Sequence, residues 1–344
     1  MKEYRCAANT LTGRRTRNQD NFLMNGKILD AKHGDDKLTI SGTLKDALFL
    51  AVVDGAGTKQ TGENASRLIC EQLWNIREKF EEMNDLSDAS SIINSALVES
   101  NKIIESVMED EPTSKMGATA AVLLIYNEKA ILGNVGDSAV YLRRDGKVKK
   151  LTTDHTEGEE LLARGALTED MLKINQAKTK VTRRIGYMSF GQTDIMQFYS
   201  IEDVRVGDIF ILASPGVVQY IYPDDINDAV QSGVDVVKCA ERIIKSSMDH
   251  ESKDNATAMV LKISEPVDNI GNKKARIKPI KATNVRVRTS LDLDPAIIKK
   301  VLYTLAVIFI LGFSFFYIYK NYPRPQKLTH TYQKDYSWID QKND

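Results

Sequence analysis

A chain of 344 residues, 42% hydrophobic and 27% charged, has a globular composition rather than a disordered one, and is long enough for one large domain or two modest ones. Its formal net charge of zero divides unevenly: residues 1–270 carry 33 Lys/Arg against 42 Asp/Glu, and residues 271–344 carry 14 against 5. The acidic body argues against nucleic acid as a main partner, and three scattered cysteines, Cys6, Cys70 and Cys239, offer neither a zinc clamp nor a disulfide framework, which fits a reducing cytoplasm.

The first 20 residues contain no apolar stretch able to serve as a signal peptide, so the acidic body is expected to stay on the cytoplasmic side. Leu48 to Val53 is a continuous apolar run closed by Asp54-Gly55, the pattern of a buried strand. Ala65, Leu68, Ile69, Leu73, Ile76 and Phe80 share one helical face, as do Ile93, Ala96, Leu97, Ile104 and Val107. Strands are expected at 119–126, 130–135, 139–143 and 148–151; their short connections predict an antiparallel meander. Two more strands, 209–213 and 256–263, and a helix over 234–248 complete an α+β domain spanning 1–265, with helices covering antiparallel sheets.

A basic juxtamembrane linker is expected over 266–300, able to lie on an anionic lipid surface or simply to be solvated. Val301 to Tyr319 carries no charge over 19 residues and predicts a transmembrane helix, with Tyr303, Tyr317, Tyr319 and Tyr322 as interfacial aromatics. Residues 320–344 form a short polar tail. Nine Lys/Arg in the 30 residues before the helix against five in the 25 after it agree with a single-pass protein of the cell membrane, the tail extracytoplasmic.

Four aspartates fall where strands or strand-like segments end: Asp20, Asp54, Asp137 and Asp254. Converging carboxylates suit hard cations such as Mg2+ and Mn2+, although an Asp-Gly pair taken alone is usually only a turn, as Asp145-Gly146 is expected to be.

Ordered blocks surround these aspartates. They are Arg15-x-x-Asn18-Gln19-Asp20, VVDGAGTKQTGENAS at 52–66, MGATA at 116–120, NVGDSAVYLRRDGKVKKLTTDHT at 134–156, VGDIFILAS at 206–214 and KDNATAMVL at 253–261. Together they resemble the PPM-type, or type 2C, metal-dependent protein serine/threonine phosphatases in their bacterial form. The resemblance implies two packed antiparallel β-sheets flanked by helices on both faces. It also implies two Mn2+ or Mg2+ ions and a weak third. Asp54 would bridge two ions, the Gly55 carbonyl would help hold the second, Asp254 would bind the first, Asp137 a looser third, and Asp20 would help hold the metal water shell. Arg15 stands at the family's phosphate-binding position. In such a site two ions activate a water toward phosphorus, and no protein nucleophile is needed. Residues 156–190, with Lys178, Lys180, Arg183 and Arg184, align with the family's flap segment; His155 reads as a structural histidine.

One position departs from the pattern: the family has Ser-Asp-Gly where this chain has Ser214-Pro215-Gly216, so a ligand for the first metal is missing. Ala56, after the Asp-Gly pair, is a lesser departure. Two functions follow from the sequence. One is a membrane-anchored phosphatase acting on phosphoproteins opposite a membrane-associated Ser/Thr kinase system; the other is a pseudophosphatase that binds phosphoproteins or kinases without turnover.

Overall fold

The computed structural model describes residues 2–266, except 31–33, 46, 59, 84, 111–115, 188–193 and 232. The expected linker, transmembrane helix and tail lie outside the described residues, and among those described no helix is long and apolar enough to cross a membrane. A compact unit spans Met1–Gly271.

In chain order the unit opens with β1 (Glu3–Leu11), β2 (Asp20–Met24), β3 (Lys27–Ile28), β4 (Asp36–Thr43) and β5 (Leu48–Gly57). Two long helices follow, α1 (Thr61–Asn75) and α2 (Asp88–Asp110), then β6 (Met116–Tyr126), β7 (Lys129–Val135), β8 (Ala139–Arg144) and β9 (Lys147–Lys150). Short helices α3 (Glu157–Ala163) and α4 (Glu169–Ile174) precede β10 (Gln197–Ile201) and β11 (Ile209–Ala213). The unit closes with α5 (Pro215–Val218), α6 (Pro223–Ala229), α7 (Val236–Asp249) and β12 (Ala256–Ser264).

The strands form two six-stranded antiparallel sheets, ordered β4-β1-β12-β11-β8-β9 and β10-β7-β6-β5-β2-β3. Side chains alternate between the faces of a strand, and each sheet uses both faces. In β5, Leu48, Leu50 and Val52 point into the space between the sheets, where they meet Phe22, Leu123, Phe210 and Leu261. Phe49, Ala51 and Val53 point outward, where the face is covered by Ile69 and Leu73 of α1 and Ile93 and Leu97 of α2. On the other sheet, Ile211, Ala258 and Val260 point outward and pack on Cys239, Ala240, Ile243 and Ile244 of α7. The expected helix-flanked pair of sheets is therefore present, and its strands read as continuous apolar runs because both faces are buried.

The expected meander is corrected. β6–β7 and β8–β9 are hairpins, the second turning at Asp145 (φ 51°) and Gly146 (φ 78°) as the Asp-Gly pair suggested. β7 and β8, however, belong to different sheets: β7 pairs with β6 and β10, whereas Ala139 of β8 pairs with Ala213 of β11. Short connections favour pairing, but β10 already takes the second edge of β7. The chain instead crosses between sheets at Gly136-Asp137-Ser138. Gly136 has φ +84°, and a Cβ there would lie 2.4 Å from Thr119 Cγ2, so only glycine fits the corner. A second difference is Val107, expected on the buried face of α2 and found 38% exposed, one turn from that helix's end.

Candidate active site at the end of the β-sandwich

Following each inward-facing run toward one end of the sandwich, the apolar residues give way to polar ones. β5 runs Leu48, Leu50, Val52, Asp54 and β2 runs Met24, Phe22, Asp20, and the register places Asp20 directly opposite Asp54. β6 places Thr119 opposite Asp54 on its other side. From the second sheet, Ile263, Leu261 and Met259 lead to Thr257; Phe210 and Leu212 lead to Ser214; Cys6 and Ala8 lead to Thr10, which pairs with Thr257. A hydroxyl-lined and carboxylate-lined layer thus caps the inter-sheet core.

Asp20 is buried at this layer. Its Oδ2 accepts hydrogen bonds from Ser214 Oγ at 2.8 Å and Thr257 Oγ1 at 2.7 Å, its Oδ1 is buried, and a further side-chain hydrogen bond joins its carboxyl to that of Asp54. Burial pushes its carboxyl up to about 6, opposed by the two hydroxyls, and the Asp254 charge adds to the rise. Asp54, only partly covered by neighbouring atoms, is raised well above the ordinary carboxylate range, first by desolvation and then by the charges of Asp20, Asp254 and Asp137. Asp137 sits in the corner between the sheets. Gln219 Nε2 donates to its Oδ2 at 2.7 Å, its Oδ1 is buried and unpartnered, and burial raises it to about 6.

Arg15 reaches the cluster from the loop after β1, its Nη2 donating to Asp254 Oδ2 at 2.9 Å, with both side chains partly exposed. Asp254 Oδ1 accepts from its neighbour's backbone, Asn255 N, at 2.9 Å. Gly55 N donates to Gln19 O at 3.1 Å, and a Cβ on Gly55 would lie 2.0 Å from Gly62 O, so the glycine lets the start of α1 close onto β5. Beside these groups lies an open polar groove of about 410 Å³ lined by Thr12, Thr16, Arg17, Asn18, Gln60 and Glu63, where Arg17 pairs with the buried Glu63 at 3.1 Å.

The structure places Arg15, Asp20, Asp54, Gly55, Asp137 and Asp254 at this end of the sandwich. It places Pro215 at the first position of α5, beside Ser214, where it contributes no side-chain oxygen. Among the described residues, no three Asp, Glu, His or Cys side chains meet as a closed ligand set. The donors that are present fit a divalent cation all the same: they are carboxylate and carbonyl oxygens, Asp137 Oδ1 is buried and unpartnered, and the charges of Asp20, Asp254 and Asp137 all bear on Asp54 while Arg15 pairs with Asp254.

His155 has the structural role expected of it. Its Nδ1 accepts from Gly136 N at 3.1 Å, which puts the proton on Nε2 facing Gln197 Oε1 at 3.2 Å, and burial lowers its pKa. Sequence reasoning missed Asn255, which holds the Arg15 loop: its Oδ1 accepts from Gln19 N, and its Nδ2 donates to Thr12 O and Arg17 O. It also missed Thr10, Thr257 and Gln219. For Thr10 and Thr257 a signal existed, since each is the next inward position after an apolar alternation.

The sequence model described as Protein phosphatase 2C matches residues 11–256, most of the compact unit. This chain belongs to the protein phosphatase 2C family. Membership makes it a serine/threonine protein phosphatase of the 2C type. It is 26% identical over 220 residues to protein phosphatase PhpP of Streptococcus pneumoniae, covering 63% of this chain and 86% of that protein. It is likewise 26% identical over 216 residues to serine/threonine protein phosphatase PstP of Mycobacterium tuberculosis, covering 62% of this chain and 40% of PstP. The catalytic domain of PstP, solved in complex with two manganese ions, superposes with a TM-score of 0.60 at 25% identity, over 77% of this chain and 100% of that domain.

Proposed function

We propose that this protein phosphatase 2C hydrolyses phosphoserine and phosphothreonine in proteins at the cytoplasmic face of a membrane, using Mn2+ or Mg2+. The observation that carries the reading is the convergence of Asp20, Asp54, Asp137 and Asp254 with Arg15 at one end of the sandwich. Asp54, Asp254, the Gly55 carbonyl, Asp20 and Asp137 are the groups that would hold the ions. A bound divalent pair supplies the charge that activates water and neutralises the phosphoryl oxygens.

The remaining tasks fall to the chain itself. Arg15 presents a planar fork at the rim, suited to two phosphate oxygens at once. The Ser214 and Thr257 hydroxyls fix the Asp20 carboxylate, and Asn255 fixes the loop that carries Arg15. Residues 301–319 anchor the domain, with the basic segment 266–300 beside anionic lipid. Substrates are phosphoproteins, and a membrane-associated Ser/Thr kinase is the natural opposing enzyme.

Pro215 favours a second reading, a pseudophosphatase that binds phosphoproteins or kinases without turnover. Phosphate release from a phosphothreonine peptide, measured across a Mn2+ titration for the wild type and Pro215→Asp, separates the two. Turnover in both supports the enzyme; turnover only in Pro215→Asp supports the binding module. Anchoring is tested by cell fractionation: the full chain should pellet with membranes and a chain ending at residue 300 should not.

A further inference from the structure

Arg15 and Arg17 stand two residues apart on the loop after β1, and each meets a different acid: Arg15 pairs with Asp254 at 2.9 Å, Arg17 with Glu63 at 3.1 Å. Two Cα atoms so placed are at most about 7 Å apart. Arg17 lines the open polar groove of about 410 Å³ together with Thr12, Thr16, Asn18, Gln60 and Glu63. The walls of this groove are tied in place. Asn255 Nδ2 donates to Thr12 O and Arg17 O, Thr12 N donates to Asp35 Oδ1 at 2.7 Å, and Asn18 Nδ2 donates to Gly34 O at 3.0 Å.

Arg17 holds Glu63 end-on. One nitrogen, Nη1, donates to both carboxylate oxygens, at 3.1 and 3.3 Å, which leaves Nε and Nη2 without a partner among the described residues. The Glu63 side chain is 5% exposed and that of Arg17 46%, so the acid is a buried anchor for a guanidinium that borders the groove with unused donors. Arg14, Arg15 and Arg17 put three positive charges within four residues, and the ion pairs they make among the described residues use two acids. The loop is a cationic spot on an otherwise acidic body.

An extended peptide rises about 3.3 Å per residue and turns residues i and i+2 to the same side. With a phosphoryl group on Arg15, the side chain two positions along the peptide lies about 6.6 Å away, a spacing that the Arg15–Arg17 pair matches. We propose that Arg17, held by Glu63, is a specificity-determining residue that selects substrates carrying an aspartate or glutamate two positions from the phosphoresidue. Its unused donors suit the two oxygens of a carboxylate. The inference rests on the reading of this chain as a phosphatase with Arg15 as its phosphate contact.

Initial rates of the full-length chain with Mn2+ on phosphothreonine peptides test it, comparing aspartate with alanine at each position flanking the phosphoresidue. The ratio of kcat/KM should favour aspartate about fivefold at one of the two positions lying two residues away, and the preference should fade at high salt. Arg17→Gln should bring that ratio to about one, and Arg17→Lys, which keeps the charge without the fork, to about two. Glu63→Gln keeps the shape of the anchor and removes the competing charge, so it should raise the ratio above that of the wild type. A merely structural role for either residue would change the rates on all peptides alike and leave the ratio unmoved.

A preference absent from both positions, spread equally over the whole peptide, or unmoved by Arg17→Gln overturns the proposal. Should Arg17→Gln fail to fold by circular dichroism, Arg17→Lys and Glu63→Gln decide the matter: wild-type ratios in both overturn it. If the wild type turns over none of the peptides, the phosphatase reading fails, and the same ratio is read from peptide dissociation constants by fluorescence anisotropy. Equal dissociation constants then overturn this inference as well, whereas tighter binding with the acid two positions away supports it.

Discussion

Asp20 and Asp54 face one another directly across the β2–β5 ladder, two acids as cross-strand partners at the end of an otherwise apolar inter-sheet core. Like charges directly opposite are destabilising in a sheet, so the pairing is an energetic cost that a fold bears at a functional site.

That cost should be visible as pH dependence. Asp20 and Asp137 are each raised from 3.8 to about 6, and Asp54 is raised in the same direction. A carboxyl raised in the folded state binds more protons than in the unfolded chain, so its contribution is present below pH 3.8 and is lost as pH rises through about 6. Chelator-stripped protein should therefore lose stability from these groups between about pH 4 and pH 6, and Mn2+ binding near pH 6 should release protons. Urea unfolding at several pH values checks the first expectation. Calorimetry in buffers of different ionisation enthalpy checks the second.

Arg15→Lys retains the charge beside Asp254 and loses the fork. The KM for a phosphopeptide should rise about tenfold with kcat little changed, the signature of lost uniform binding. Initial rates over a substrate series measure it, and an unchanged KM would remove Arg15 from phosphate recognition.

Asn255 ties the Thr12–Gln19 loop to the start of β12 through three hydrogen bonds of 2.8–2.9 Å. Asn255→Ala leaves three partly buried backbone groups without their partner and should lower stability by about 1–2 kcal/mol in denaturant unfolding. Phosphatase activity should fall with it, because the same loop carries Arg15.

Phe22, fully buried between the sheets two residues from Asp20, should cost about 3–5 kcal/mol when cut to alanine. Thermal unfolding of Phe22→Ala measures this. A change under about 1 kcal/mol would mean the sandwich repacks freely at its centre.

The elements legible in the sequence were those with continuous aliphatic runs or a clean helical stripe. β5, β6, β11 and β12 are of the first kind, and α1, α2 and α7 of the second. β1 was missed because Cys6, Ala7 and Ala8 bury small side chains that carry little hydrophobic signal, and β4 because its alternation is set mostly in exposed and half-buried positions. The β7–β8 crossing was misread because alternation reports which face is buried and says nothing about which sheet a strand joins. The aspartates were legible through their ordered blocks. Their hydroxyl partners were not, since Thr10, Ser214 and Thr257 become a set only when two sheets bring them within 3 Å of one carboxylate or of each other. Pro215 was legible as a departure from the family pattern, but the way Ser214 beside it serves Asp20 required the packed sandwich.

The most direct measurement of the central claim is Mn2+-dependent release of phosphate from a phosphothreonine peptide by the Met1–Gly271 unit, run beside Asp54→Asn. The account expects turnover in the wild type and a loss of at least about 100-fold in the variant, since Asp54 touches every other acid of the site through space or charge. Equal rates in the two proteins, or no turnover in either at saturating Mn2+, would contradict it.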